Sequence, residues 1–102
     1  MILVRNVFQV KFGQAREALA LWKEGAALGA KLGGGAMARS RILTDVSGVP
    51  FYTLVFETEH ESLAAYESAA RELMANPEWH AWYAKVSPLL AGGHREVLTI
   101  AS

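Results

Sequence analysis

Residues 51–58 read FYTLVFET. In an extended chain, successive side chains point to opposite faces. Tyr52, Leu54 and Phe56 take one face here, and Phe51 and Val55 take the other. A strand that is apolar on both sides belongs in the middle of a sheet, covered above and below. The segment before it, Ala38–Val46, also has strand character, and "SGVP" at 47–50 is turn chemistry. Pro50 has no N–H to give to a ladder, so the two runs predict a hairpin, Ala38–Val46 and Phe51–Thr58, with the turn between them. Thr58 and Glu61 then have the spacing of a capping box and predict a helix beginning there. Its inner stripe is Leu63, Tyr66, Ala70, Leu73 and Met74.

The rest of the chain falls into place around this hairpin. From Ile2 to Phe12 the residues alternate: Val4, Asn6, Phe8, Val10 and Phe12 on one face, Leu3, Arg5, Val7, Gln9 and Lys11 on the other. Gly13 ends that strand. Gln14–Leu32 has helical period, with Ala15, Ala18, Leu19, Trp22, Ala26 and Gly29 on one side and Leu21, Leu28 and Leu32 widening the arc. Gly33-Gly34-Gly35 is the expected stop. Asn76-Pro77 is an N-cap followed by a proline suited to the first helical position. The stripe of the new helix is Trp79, Trp82, Tyr83, Val86 and Leu90, and Gly92-Gly93 is read as its end. "HREVLTI" is a last short strand.

Strand, helix, strand, strand, helix, strand is the ferredoxin-like split βαβ order. The fold class is therefore α+β: a four-stranded antiparallel sheet in residues 1–102, with helices on one face. Right-handed crossovers give the strand order 4-1-3-2. The uncovered face carries Leu3, Val7 and one set from the third strand. Each such side chain contributes roughly 1.5–3 kcal/mol when buried, so the expected partner is a second copy of the chain on that face.

Composition narrows the function classes. The 102 residues suit one domain. Ten basic residues balance ten acidic ones, without the basic excess of a nucleic-acid protein. There is no cysteine, which removes disulfides and thiolate chemistry. No run of about 18 apolar residues is present, and the N-terminal stretch carries Arg5 and Lys11 inside its apolar run, unlike a leader. The expectation is a soluble, cytoplasmic protein with no nucleic-acid or membrane partner.

Asn6 is the most informative residue, because it stands where an apolar side chain belongs. A buried amide without partners costs about 1–3 kcal/mol. It either bonds to Tyr66, Tyr83 or a backbone group, or it turns a donor toward a ligand carbonyl or oxyanion. Trp79, Trp82 and Tyr83 are core by their spacing. Their second role is to wall a cavity between helices and sheet, which Phe8, Trp22 and Tyr66 would complete. The ligand-binding candidates are thus Asn6, Phe8, Trp22, Tyr66, Trp79, Trp82 and Tyr83, with Asn6 and Tyr83 as the catalytic candidates. His60, His80 and His94 lie on different elements without ligand spacing, so no metal and no cofactor are expected. Glu57, Glu59, His60 and Glu61 are explained by negative charge at a helix start. Arg39, Arg41, Leu43 and Asp45 share a face of the second strand, where charge protects an edge. Inside a barrel, those arginines and Arg5 would need Glu57, Asp45 or Glu96 as partners.

The stretches VFQVKFGQAREAL, FYTLVFETEHESLAAYE and NPEWHAWYAKVSPLL resemble the dimeric α+β barrel superfamily, above all its NIPSNAP-like and antibiotic-biosynthesis-monooxygenase-like members. The resemblance implies two protomers with their sheets face to face. Heme-degrading members of that group carry an asparagine where this chain has Asn6. Their tryptophan and histidine correspond to Leu73 and Tyr83 here, so two of three positions depart. Two functions follow. One is a non-catalytic dimer that binds a small hydrophobic ligand or serves assembly. The other is a cofactor-independent monooxygenase or isomerase for an aromatic or polyketide-like substrate, with Asn6 and Tyr83 as polar anchors. An open cavity beside Asn6 would favour the second over a packed module.

Overall fold

A computed structural model describes residues 1–33 and 39–102. The order is β1 (Ile2–Val10), α1 (Ala15–Gly33), β2 (Arg41–Thr44), β3 (Thr53–His60), α2 (Leu63–Met74), α3 (Pro77–Val86), a 3₁₀ turn (Ser87–Leu89) and β4 (Leu90–Thr99). The strands form one antiparallel sheet in the order β2-β3-β1-β4, which is the expected order read from the other edge. This is the ferredoxin-like α+β arrangement. α1 links β1 to β2 across β3, and α2 with α3 links β3 to β4 across β1.

Several boundaries differ from the sequence reading, each for a local reason. β3 starts two residues late because Tyr52 adopts φ 61°, which breaks the ladder at the turn. Phe51 is left exposed beside it. β3 also runs two residues further. Thr58 is buried in the strand, paired with Val4, and caps nothing. The cap of α2 is Ser62, whose Oγ accepts from the Ala65 N–H at 3.1 Å. Asn76 does cap α3, with Oδ1 accepting from the Glu78 N–H at 2.8 Å. α3 stops at Val86 because Pro88 supplies no N–H. Leu90 therefore begins β4, and Gly92-Gly93 lie inside that strand. A Cβ on Gly93 would stand 2.6 Å from the Val7 carbonyl oxygen, so glycine here permits close strand approach. Phe12 lies beyond β1 and is exposed, edge-on to Tyr52. The predicted glycine stop and the start at Ala38 fall partly on residues 34–38, outside the described residues.

The core lies between the sheet and α1 and α3. Trp22 is its centre, with ring centroids 4.9 Å from Phe8 and from Trp82 and 5.2 Å from Phe56. The Trp82 ring packs against Gly25 of α1, in the space that a Cβ there would fill. Its indole N–H donates to the Leu21 carbonyl at 2.6 Å. A mid-helix glycine costs about 0.5–1 kcal/mol against alanine; here it makes the seat for a tryptophan.

The opposite face is built differently. Arg41, Glu57, Arg5 and Glu96 are register partners across all four strands, a row of alternating charge. Arg41 Nη2 donates to Glu57 Oε1 at 2.7 Å, and Arg5 Nε lies 3.0 Å from Glu57 Oε2, close for an ion pair though not aligned as a hydrogen bond. Arg5 also reaches Glu96 at 3.6 Å. Of the three expected partners, Glu57 and Glu96 take the arginines. Asp45 instead accepts from the Thr53 N–H at 3.1 Å and ties the turn. Arg39 lies in the turn before β2.

Candidate functional site

The helices do not close over the whole sheet. α2 and α3 meet at a corner held by His80, whose ring Nε2 bonds to the Met74 carbonyl at the end of α2. Beneath the corner, between α2, α3 and strands β1, β3 and β4, is a cavity of about 840 Å³. Asn6, Phe8, Trp22, Tyr66, Trp79, Trp82 and Tyr83 all line it. Trp22 and Trp82 form a buried back wall that is also core. Tyr83 is half exposed, and Leu73, its companion in the heme comparison, is a buried lining residue. The Trp22 indole N–H is buried with no partner among the described residues.

Alternation places the polar residues. Asn6 on β1, Thr58 and His60 on β3, and Arg95 on β4 all line the cavity on the helix side. Arg95 is the register partner of Asn6, and its Nε donates to Asn6 Oδ1 at 2.6 Å. A guanidinium only donates, so the amide oxygen must face it and the Asn6 NH₂ remains as a donor. The expected partners Tyr66, Tyr83 or backbone are thus replaced by Arg95. The guanidinium carbon stands 5.7 Å from the Tyr66 ring centroid, a cation–π distance. The other edge of this group is His60, whose ring centroid is 5.1 Å from that of Tyr66, edge to face. His60 is buried, with Nε2 2.9 Å from Thr58 Oγ1. Burial lowers its pKa below the usual histidine value, which favours the neutral ring.

His60, Thr58 and Arg95 were not among the candidates. The signal for His60 is the Leu54, Phe56, Thr58 alternation carried two residues further, and it was masked by the capping-box reading. The signal for Arg95 lies in strand register, which a single sequence does not print. His94 is mid-strand rather than its start; it pairs with Glu96 at 2.9 Å, and this hydrogen bond, helped by Arg5, lowers the Glu96 pKa. Among the described residues no group of three potential metal ligands forms, and no helix is long and apolar enough to cross a membrane.

No family model matches the sequence, and no curated protein matches it. Solved structures do. A NIPSNAP domain protein from Burkholderia xenovorans superposes with TM-score 0.81 at 18% identity, covering 100% of this chain and 96% of its own. A NIPSNAP family protein with unknown function from Agrobacterium tumefaciens gives 0.85 at 18%, covering 99% and 88%. SnoaB, a cofactor-independent oxygenase from Streptomyces nogalater, gives 0.73 at 18%, covering 99% and 93%. The chain has the ferredoxin-like α+β fold that NIPSNAP proteins and antibiotic-monooxygenase-like proteins share. At these identities the likeness is one of fold.

Proposed function

We propose that the chain binds a small, largely aromatic molecule in the cavity beside Asn6, and that it works as a homodimer joined through the open sheet face. The observation that supports binding is the cavity itself. Its volume lies in the ~300–1,000 Å³ range of ligand sites. A module built only for assembly would have that space packed shut by Trp22, Trp79 and Trp82. Instead Trp82 sits back on Gly25 and the space beside Asn6 stays open. For the dimer, the support is the open face. Leu43 and Leu98 are 40% and 49% exposed on either side of a charge row that is already neutralised within the chain.

Calorimetric titration with 2-naphthamide, a neutral aromatic carbonyl, tests the cavity. Saturable binding is expected, with NMR shifts at the indoles of Trp22, Trp79 and Trp82, and Asn6→Leu should weaken it severalfold. If Asn6→Leu binds equally well and is merely more stable, the site reading fails. Light scattering tests the dimer: the expected mass is twice the 11.1 kDa of one chain. Leu98→Lys should return the single-chain mass.

A second reading is favoured by His60. A neutral, buried imidazole on the cavity wall, with the Asn6 amide NH₂ as a donor nearby, can accept a proton while an oxyanion forms on the ligand. Proton removal of that kind would begin the work of an isomerase or of a cofactor-independent oxygenase, the activity in the description of SnoaB. Slow exchange of an acidic ligand proton in deuterated buffer, lost in His60→Gln, would distinguish this from binding alone.

A further inference from the structure

Resting on that cavity reading, we infer that the ligand is an anion, an aromatic or similarly apolar body bearing a carboxylate, and that Arg95 takes the charge. The argument is one of charge accounting inside the cavity. Among the described residues no aspartate, glutamate or lysine lines it, and Arg95 is its one arginine. Among the described residues no carboxylate lies within ion-pair distance of Arg95. Its companions are a neutral amide and the face of a tyrosine ring.

The other arginines on the sheet are treated differently. Arg5 and Arg41 share Glu57, and Arg5 has Glu96 besides. The chain thus has carboxylates at sheet positions and places them on the far side. On the cavity side, the histidines do not compete for an anion. His60 is held toward its neutral form by burial and His80 spends Nε2 on the Met74 carbonyl, while the His94 side chain pairs with Glu96 on the open face.

Geometry narrows the anion. Arg95 spends Nε on Asn6, which fixes the plane of the guanidinium and leaves its two terminal NH₂ groups. Those present an end-on fork, and a planar carboxylate matches a guanidinium fork with two parallel hydrogen bonds. Asn6 is then a positioning residue for Arg95 as well as a donor through its own NH₂. Phe8, Trp22 and Trp79 supply the apolar wall for the ring.

The experiment compares two probes of one shape, 2-naphthoate and neutral 2-naphthamide, by calorimetry on the intact chain. Charge-assisted hydrogen bonds predict that the wild type prefers the carboxylate by about tenfold or more. Arg95→Met should erase this preference, and Arg95→Lys should restore part of it. Raising the salt concentration should weaken the carboxylate and not the amide. Equal affinities in the wild type, with both probes bound, would overturn the anion inference and leave the cavity reading standing. A preference that survives Arg95→Met would do the same. Failure of both probes to bind would overturn the two together. Circular dichroism of each variant separates a lost charge from a lost fold.

Discussion

The two faces of the sheet hold arginines in opposite ways. On the open face, Glu57 is 8% exposed in its side chain and sits between Arg5 and Arg41. On the helix face, Arg95 is given an amide and a ring and no acid. The first arrangement closes on itself: the charge is neutralised by register partners, and nothing from outside is required. The second is incomplete. Arg95 is exposed at the cavity's edge, so water rather than a carboxylate solvates its charge, and the guanidinium stays free to receive an anion. The contrast separates residues that hold the sheet from residues that face a ligand.

The comparison breaks most visibly at the back wall, where core and cavity share residues. Trp82→Ala removes a ring that is 4% exposed and packed on Trp22 and Gly25, and it frees the Leu21 carbonyl from its indole donor. A loss of about 3–5 kcal/mol is expected, read from urea unfolding. For a 102-residue chain that is a large share of the ~5–15 kcal/mol typical of a domain. A loss below about 1 kcal/mol would mean that Trp82 belongs to the cavity and not to the core.

A matched pair of substitutions sharpens the contrast of charges. Glu57→Gln leaves Arg5 and Arg41 without their shared carboxylate. Both arginines keep some solvent, with side chains 34% and 65% exposed. The cost should therefore be about 2 kcal/mol, under the ~3–5 kcal/mol of a fully buried pair. Arg95→Met should change stability by no more than about 0.5 kcal/mol, as for a residue the fold does not lean on. If the two variants are equally destabilised, Arg95 is structural and the contrast between the faces is lost.

Much of this fold was legible in the sequence, and the failures have a common form. Among the described residues, period-2 and period-3.6 patterns located the four strands and the three α-helices, though not the 3₁₀ turn Ser87–Leu89, because those patterns record which side chains meet the core. The ends were misread wherever one residue type serves two purposes. Thr58 and Glu61 have capping spacing, yet burial of Thr58 against Val4 keeps the strand going. Gly92-Gly93 reads as a helix stop, yet both glycines pair with β1 and Gly93 closely approaches the Val7 carbonyl. Of the site, the aromatic wall was legible because it follows helical spacing. Asn6 was legible because it is polar in an apolar row. Its partner Arg95 stands 89 residues away and meets it through strand register, which no local pattern encodes.

The smallest effect concerns His60 and tests whether the helix face keeps a neutral base. Its folded pKa is lowered by burial, so the unfolded chain takes up a proton more readily than the folded one. The contribution of neutral His60 to stability is then fully present above the usual histidine pKa of about 6.5. It declines as pH falls through that value and levels off once pH passes below the lowered folded value. Urea midpoints measured from pH 7.5 down should therefore fall more steeply for the wild type than for His60→Gln, and the two curves should converge toward acid. Parallel curves would show that His60 titrates as it does in the unfolded chain. The open and helix-covered faces would then differ only in Arg95, and the proton-accepting reading of the cavity would lose its base.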